Sequence, residues 1–325
     1  MVNSTFSGSQ SKVEGLPVTR VGRSFREGSL TEVLQNTNSL SGVNREFSFN
    51  DADFSRVRKM IYSVAGISLP NTKESMVYSR LSRRLRILGL LSFTEYLDRL
   101  ERNASDSEWE HFTNSLTTNL TSFYREEHHF ELLSQQLRAL QGRGTIHIWC
   151  CASSTGEEPY TIAITAMETF GSTNPPVKIL ATDIDTEVLA KAKEGVYRVD
   201  QTDKIPSDIL RRYFSRTGQE SLGLVSVKPE VKQLISFRKL NLLSKKWDIN
   251  PGIDVIFCRN VMIYFNKEDQ HTILKQFVGL MNPGGLLYAG HSENFMFASD
   301  LFKLKGRTVY EVVEKHAYRS VLSRS

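Results

Sequence analysis

The sequence predicts an α/β fold: an all-helical unit, then a parallel-sheet domain with a small antiparallel β-subdomain inserted in it. Three observations carry this. Apolar residues recur at helical spacing from Phe54 onward. After Arg143-Gly144, short apolar runs alternate with helical segments. Between Tyr197 and Leu243 that alternation lapses. Strands that alternate with helices pair in parallel, because each crossover returns the chain to the same end of the sheet. The chain has 325 residues, 40% hydrophobic and 24% charged, so it has the composition of a globular protein and room for two domains. A collagen-like, wholly disordered or membrane-spanning chain is excluded, and no run approaches the roughly 18 apolar residues of a spanning helix.

Residues 1–46 are rich in Ser, Thr, Asn and Gly without a sustained period, so they read as a disordered tail. Its opening MVNSTFSGSQSK lacks the apolar core of a secretory signal. Residues 47–140 read as the helical unit. Phe54, Val57, Ile61 and Val64 share one helical face, and Gly66 follows as a C-cap. A second helix is expected from about Lys73 to Leu88, with a stripe of Val77, Leu81, Leu85 and Leu88. Ser92-x-x-Glu95 and Ser107-x-x-Glu110 read as capping boxes of two more.

Residues 141–325 read as the sheet domain. IHIWCCA, VKILATDID, IDVIFCRN, LLYAGHS and TVYEVVE read as its strands. Pro159–Phe170, TEVLAKAKEG and Lys267–Met281 read as its helices, the last ended by the Asn282-Pro283-Gly284-Gly285 turn. Within the lapse, over about 197–243, LGLVSVK and QLISFRKLNL read as an antiparallel pair joined at Pro229-Glu230.

In an open α/β sheet a ligand sits beyond the carboxyl ends of the strands. Three segments end there. CCASSTGEEPY offers small residues for a tight turn, then Glu157 and Glu158. It is neither a GxGxxG fingerprint nor a P-loop, and two carboxylates disfavour a phosphate. They suit an amine-bearing ligand, or else complement the helix dipole. Asp183 closes the second strand, where an acid can accept both hydroxyls of a ribose, while Asp185 reads as the cap of the next helix. CRNVMIYF brings Arg259, Asn260 and Tyr264 to the same edge. TTNLTSFYRE adds Asn119, Thr121 and Arg125, and KLNLL adds further polar groups.

In order along the chain, TTNLTSFYRE, STGEEPY, ATDID, FCRNVMIYF and GLLYAGHSEN resemble the bacterial chemotaxis receptor methyltransferases of the CheR type, over roughly residues 47–315. The resemblance implies a Rossmann-like class I methyltransferase domain with a β-subdomain, behind a helical domain. It implies S-adenosylmethionine as cofactor, S-adenosylhomocysteine as product, and glutamate side chains of chemoreceptor helices as acceptors. It assigns cofactor contacts to Asn119, Thr121, Arg125, Glu158, Asp183, Asn241, Leu242, Arg259 and Asn260. It places Arg125 and Tyr264 beside the transferred methyl. Glu157 and Glu158 are not separated by sequence on physical grounds.

A glutamate acceptor is ionised at pH 7, so the reaction needs no general base. The absence of a Ser-His or Cys-His pair therefore does not count against an enzyme. No metal is expected, since His128, His129 and His291 lack a paired acidic ligand motif. Cys150, Cys151 and Cys258 lie in apolar runs and read as buried thiols in a reducing cytoplasm. A monomer is expected. Lys73, Arg80, Arg83 and Arg84 fall within about 100° of one helical face. They read as a docking surface for acidic receptor helices, or as a solvated face. Nucleic acid is not expected, because neither interleaved aromatics nor a recognition motif accompany them. The resemblance also implies, for some members, capture of a receptor's carboxyl-terminal peptide by strand addition. LGLVSV would be the edge strand, Gly218 and Gly223 allow the loop this needs, and Arg211, Arg212 and Arg216 could receive the peptide's acidic side chain or terminal carboxylate. The alternatives are a methyltransferase of this fold in another sensory pathway, such as surface motility or biofilm control, and a nonenzymatic cofactor-sensing scaffold.

Overall fold

A computed structural model describes residues 45–217 and 223–313. The expected tail, up to residue 44, lies outside them, as does Gly218. Four helices come first: α1 (Asp51–Ala65), α2 (Glu74–Leu88), α3 (Phe93–Asn103) and α4 (Asp106–Leu116). The Asn50 side chain caps α1, and left-handed Gly66 ends it, as its spacing suggests. Phe54, Val57, Ile61, Val77, Leu81, Leu85, Phe93 and Phe112 pack as the core of this unit. Ser92 caps α3, but the second expected cap is displaced. Ser105, not Ser107, accepts from the Glu108 backbone and opens α4. That two-residue shift turns Glu108 inward.

The remaining elements follow in chain order. They are α5 (His128–Ala139), β1 (Ile146–Cys150), α6 (Glu157–Phe170), β2 (Val177–Asp183), α7 (Thr186–Glu194) and β3 (Val196–Arg198). Next come α8 (Ser207–Tyr213), β4 (Phe214–Arg216), β5 (Leu224–Val227), α9 (Pro229–Lys232) and β6 (Ile235–Lys239). The chain closes with β7 (Ile253–Cys258), α10 (Lys267–Leu280), β8 (Met281–Ala289), β9 (Phe302–Gly306) and β10 (Val309–Val312). The main sheet runs β6-β2-β1-β7-β8-β10-β9. Its first five strands are parallel and β10 and β9 are antiparallel. One face carries α5 and α6, through Phe130, Leu133, Leu137, Ile162 and Ile164. The other carries α10, through Ile273, Leu274 and Phe277, with Trp149 and Trp247. Of the helical stretch 47–140, then, α5 belongs to the core of the sheet domain and α1–α4 share another.

Further expectations are corrected. QLISFRKLNL is not half of the insertion: β6 pairs in parallel with β2, Ile179 opposite Ile235, as an edge of the main sheet. The small sheet is β3-β5-β4, antiparallel throughout. Leu224–Val227, within LGLVSV, is therefore its central strand, and β3 and β4 are its edge strands. The NPGG turn does not precede β8 but bulges within it, since Ile253 opposes Met281 and Val255 opposes Leu286. Lastly, FKLKG forms β9, a strand that sequence reading missed.

A seam joins the helical unit to the sheet domain at the carboxyl ends of the strands. Asn241 Nδ2 donates to the Val64 carbonyl (2.8 Å), and the Ser68 N–H donates to the Tyr264 carbonyl (2.9 Å). The Tyr62 hydroxyl donates to Asp269 (3.0 Å) and accepts from Asn266 (2.7 Å). Gly66 is required twice over: its φ is 68°, and a Cβ there would sit 1.8 Å from Leu243 Cδ1. No helix among the described residues is long and apolar enough to cross a membrane.

Candidate active site

Beyond the carboxyl ends of β1, β2, β6 and β7, a cleft of about 220 Å³ opens between the helical unit and the sheet. The turn after β1 forms its floor. Gly156 has a φ of 102°, and a Cβ would stand 2.7 Å from the Tyr197 hydroxyl and 3.0 Å from Ala192 Cβ. Only glycine fits both the conformation and the space. Ser154 is also left-handed (φ 46°), and its N–H donates to Asp183 Oδ2 (2.9 Å). Asp183 Oδ1 accepts from the Asp185 N–H (3.0 Å). Burial pushes the Asp183 carboxyl up to about 6, against the pull of those two donors. Asp185 caps α7, as its position suggests.

The two glutamates of the turn part company. Glu157 lies outside the cleft and accepts from the Thr155 hydroxyl (2.6 Å). Glu158 lines the cleft, accepting from the Cys150 thiol (3.2 Å) and from Arg259 Nη1 (2.8 Å). Burial pushes Glu158 up despite Arg259. Arg259 is 4% exposed, and its other terminal nitrogen donates to the Arg125 carbonyl. The cation thus ties the end of β7 to the linker that carries Arg125.

After Arg259 the chain turns sharply, with Asn260 left-handed at φ 59°. Glu293, 4% exposed, holds this turn: its carboxylate accepts from the N–H groups of Asn260 (2.9 Å), Val261 (3.0 Å), Met262 (2.8 Å) and Gly290 (2.6 Å). Gly290 is needed for the approach, since a Cβ would sit 2.4 Å from Asn260 Nδ2. Tyr264 follows on a short 3₁₀ turn, half-buried on the cleft wall. Sequence reading missed the role of Glu293, an acid that follows the strand end at Ala289 after Gly290, His291 and Ser292.

Asn119, Thr121, Arg125, Glu158, Asp183, Asn241, Leu242, Arg259, Asn260 and Tyr264 all line this one cleft. Two of them spend their amides on the protein. Asn119 Nδ2 donates to Asp185 (2.8 Å), and Asn241 bridges Val64 to the Leu243 N–H. Arg125 Nη1 donates to the Leu120 carbonyl (2.9 Å).

The four expected docking cations do not form one face. Lys73 precedes α2 and lines the cleft, exposed. Arg83 is exposed on α2. Arg80 instead donates to the Leu116 (3.2 Å) and Thr117 (2.6 Å) carbonyls at the end of α4. Arg84 grips the buried Glu108 through Nε (2.9 Å) and a terminal nitrogen. In the β-subdomain, Arg212 is taken by Glu168 (2.7 Å) and Asp208 (2.9 Å). Among the described residues no three His, Cys, Asp or Glu side chains form a metal-binding group.

Residues 52–117 match the all-alpha domain of CheR methyltransferases, and residues 119–310 match their SAM-binding domain. Chemotaxis protein methyltransferase 2 of Pseudomonas aeruginosa is 49% identical over 268 residues, covering 82% of this chain and 95% of that one. The chemotaxis protein methyltransferase of Escherichia coli is 47% identical over 84% of this chain and 95% of its own. That of Salmonella typhimurium is 46% identical over 86% and 97%. A cleft framed by strand ends, a buried Glu–Arg pair and a strand-end aspartate, in a chain that matches both domains in order, belongs to the CheR methyltransferase family of S-adenosylmethionine-dependent enzymes.

Proposed function

We propose that the chain methylates glutamate side chains on the helical cytoplasmic segments of chemoreceptors, forming methyl esters. The observation that carries this reading is the single cleft. It collects every residue that the family resemblance assigns to the cofactor, with Arg125 and Tyr264 on its wall. The donor set fits S-adenosylmethionine. Asp183 keeps unshared pairs for a ribose diol after accepting two backbone N–H groups. Glu158 and Arg259 offer opposite charges to a zwitterionic amino-acid head. Leu116, Ile184 and Leu242 offer apolar surface to an adenine.

S-adenosylmethionine supplies a methyl group on a positively charged sulfur. An ionised carboxylate oxygen forms the new C–O bond as the C–S bond breaks, and the electron pair stays on sulfur. No proton moves, so alignment and exclusion of water carry the catalysis. Arg125 holds the incoming carboxylate, weakly enough not to overstabilise the ground state. The Tyr264 hydroxyl orients the reacting groups. The backbone around Tyr264 is held by Glu293, which accepts from the Met262 N–H, and by the Ser68 N–H, which donates to the Tyr264 carbonyl.

The test is methyl transfer from labelled cofactor to receptor-containing membranes, followed by mild alkali. Label on the receptor that leaves as methanol is expected. Alkali-stable label would sink the glutamate ester, and no incorporation would sink receptor methylation.

A further inference from the structure

Around the Arg259 guanidinium, three buried polar atoms lack a hydrogen-bond partner among the described residues: Glu126 Oε2, His129 Nδ1 and Arg259 Nε. Oε2 lies 3.5 Å from a terminal nitrogen of Arg259 and 3.6 Å from His129 Nδ1. Such atoms are rarely left unpaired in a folded interior.

Chemistry says why Glu126 and His129 do not hydrogen-bond to each other, although Glu126 forms an ion pair with Arg259. His129 is wholly buried, and its Nε2 lies 3.0 Å from the Arg307 carbonyl oxygen. A carbonyl can only accept, so Nε2 carries the proton and Nδ1 presents a lone pair. Burial, helped by the charge of Arg259, pushes the imidazole down to about 4, so the ring is neutral. A carboxylate oxygen and a bare ring nitrogen are both acceptors, and no hydrogen bond joins them. Arg259 Nε is a donor only. Two acceptors and one donor are the complement of a single water molecule, which donates twice and accepts from the third. A metal ion or ammonium would have nothing to accept from Arg259 and would meet its charge.

We propose that Glu126 and His129 are positioning residues that hold Arg259 at the cleft through one buried water. That water donates to Glu126 Oε2 and His129 Nδ1 and accepts from Arg259 Nε. The surroundings support a built site. Glu126 is left-handed (φ 56°), and so is Tyr124 (φ 52°), a conformation that persists only where packing over-determines it. Glu126 Oε1 is anchored separately, by the His291 N–H (3.3 Å) and Nδ1 (3.1 Å). The linker is thereby pinned to Arg259 twice, through the Arg125 carbonyl and through Glu126. Arg259 in turn meets Glu158 in the cleft.

This rests on the reading of the cleft as the cofactor site, and the test separates the two. The full-length chain and its Glu126→Gln variant are titrated with S-adenosylhomocysteine by calorimetry, and their melting temperatures are measured. The glutamine amide donates straight to His129 Nδ1, so the histidine stays satisfied while the charge that aligns Arg259 is lost. The variant's dissociation constant is expected to rise about tenfold or more, the scale of a lost charged hydrogen bond, with little change in melting. If wild type binds and the variant binds equally well, the positioning role is overturned, whatever happens to melting. If wild type itself does not bind, the cofactor reading falls and this one with it. A crystal structure of the wild-type complex provides the second arm, which stands even if the variant does not fold. A water within hydrogen-bond distance of all three atoms is expected; a dry site or a direct Glu126–His129 contact overturns the proposal.

Discussion

The helical unit and the cleft each contain a buried arginine–glutamate pair, and the two differ in how completely they are satisfied. Glu108 receives Arg84 through two nitrogens and the Tyr96 hydroxyl at 3.0 Å. Burial pushes Glu108 up, but those hydrogen bonds outweigh it and the carboxyl ends below its usual range. Glu158 receives one nitrogen of Arg259 and a weak thiol donor, and burial wins. Glu158 and Arg259 both line the cavity, and the Glu158 carboxylate keeps acceptor capacity there. The first pair is closed and serves folding. The second is open, and a ligand would complete it. Residue type and burial alone do not separate a structural ion pair from a functional one; the separation lies in unspent hydrogen-bonding capacity facing a cavity.

The sharpest way to break this contrast is to remove one cation from the closed pair. Arg84→Met strands Glu108 in the interior and is expected to cost about 3 kcal/mol of unfolding free energy, near the low end for broken buried pairs because Arg84 is partly exposed. Denaturant melts check this. Affinity for S-adenosylhomocysteine should not change, and a change would place Arg84 in the open class. Next in size is Asp183→Ala, which removes an acceptor from the cleft. It is expected to weaken cofactor binding by about 1.5–3 kcal/mol, read by calorimetry. Unaltered binding would remove Asp183 from the site.

The same residue predicts a pH effect. The Asp183 carboxyl titrates at about 6, above its usual 3.8, so it is ionised above that pH and protonated below. Ribose hydroxyls donate best to the ionised form. Affinity for S-adenosylhomocysteine should therefore be full near pH 7.5 and fall as pH drops through about 6, by about tenfold per unit at most. A flat profile from pH 7.5 to 5 would count against a ribose contact. The smallest effect is expected at Arg83, one position from Arg84 but exposed. Arg83→Glu should raise the KM for receptor by severalfold or less, consistent with the roughly 1 kcal/mol ceiling of exposed ion pairs, and the rise should shrink with salt. A rise that ignores salt would rule out electrostatic docking there.

How far the sequence could be read follows from where the information resides. Strand ends carry local signals, so Asp183, Glu158, Arg259 and Tyr264 were all legible as edge residues. The partner of a strand carries none: QLISFRKLNL was legible as a strand, but nothing local distinguished β2 from β5 as its neighbour. The basic face of α2 failed for a related reason. Arg80 and Arg84 are one turn apart beside the apolar stripe, and both point to α4. The partner that claims Arg84 is Glu108, and a capping box read two residues late hid it. Glu126 and Glu293 stand inside TTNLTSFYRE and GLLYAGHSEN, but their roles were hidden, because Arg259 and the 260–262 turn that they hold are distant in sequence. The positive φ values at Glu126 and Asn260 have no residue signature beyond a mild asparagine preference.

The seam between helical unit and sheet has a consequence for recombination. Tyr62, Val64, Gly66 and Ser68 meet Asn241, Leu243, Tyr264, Asn266 and Asp269 with no room to spare at Gly66. A crossover in the linker at 117–119 would look harmless in an alignment, since it falls between the two family matches. Yet a chimera cut there pairs one parent's 62–68 with another parent's 241–269, and any side chain larger than glycine at the position of Gly66 collides with Leu243. The exchangeable module is therefore discontinuous in sequence: the helical unit travels with the loops it touches.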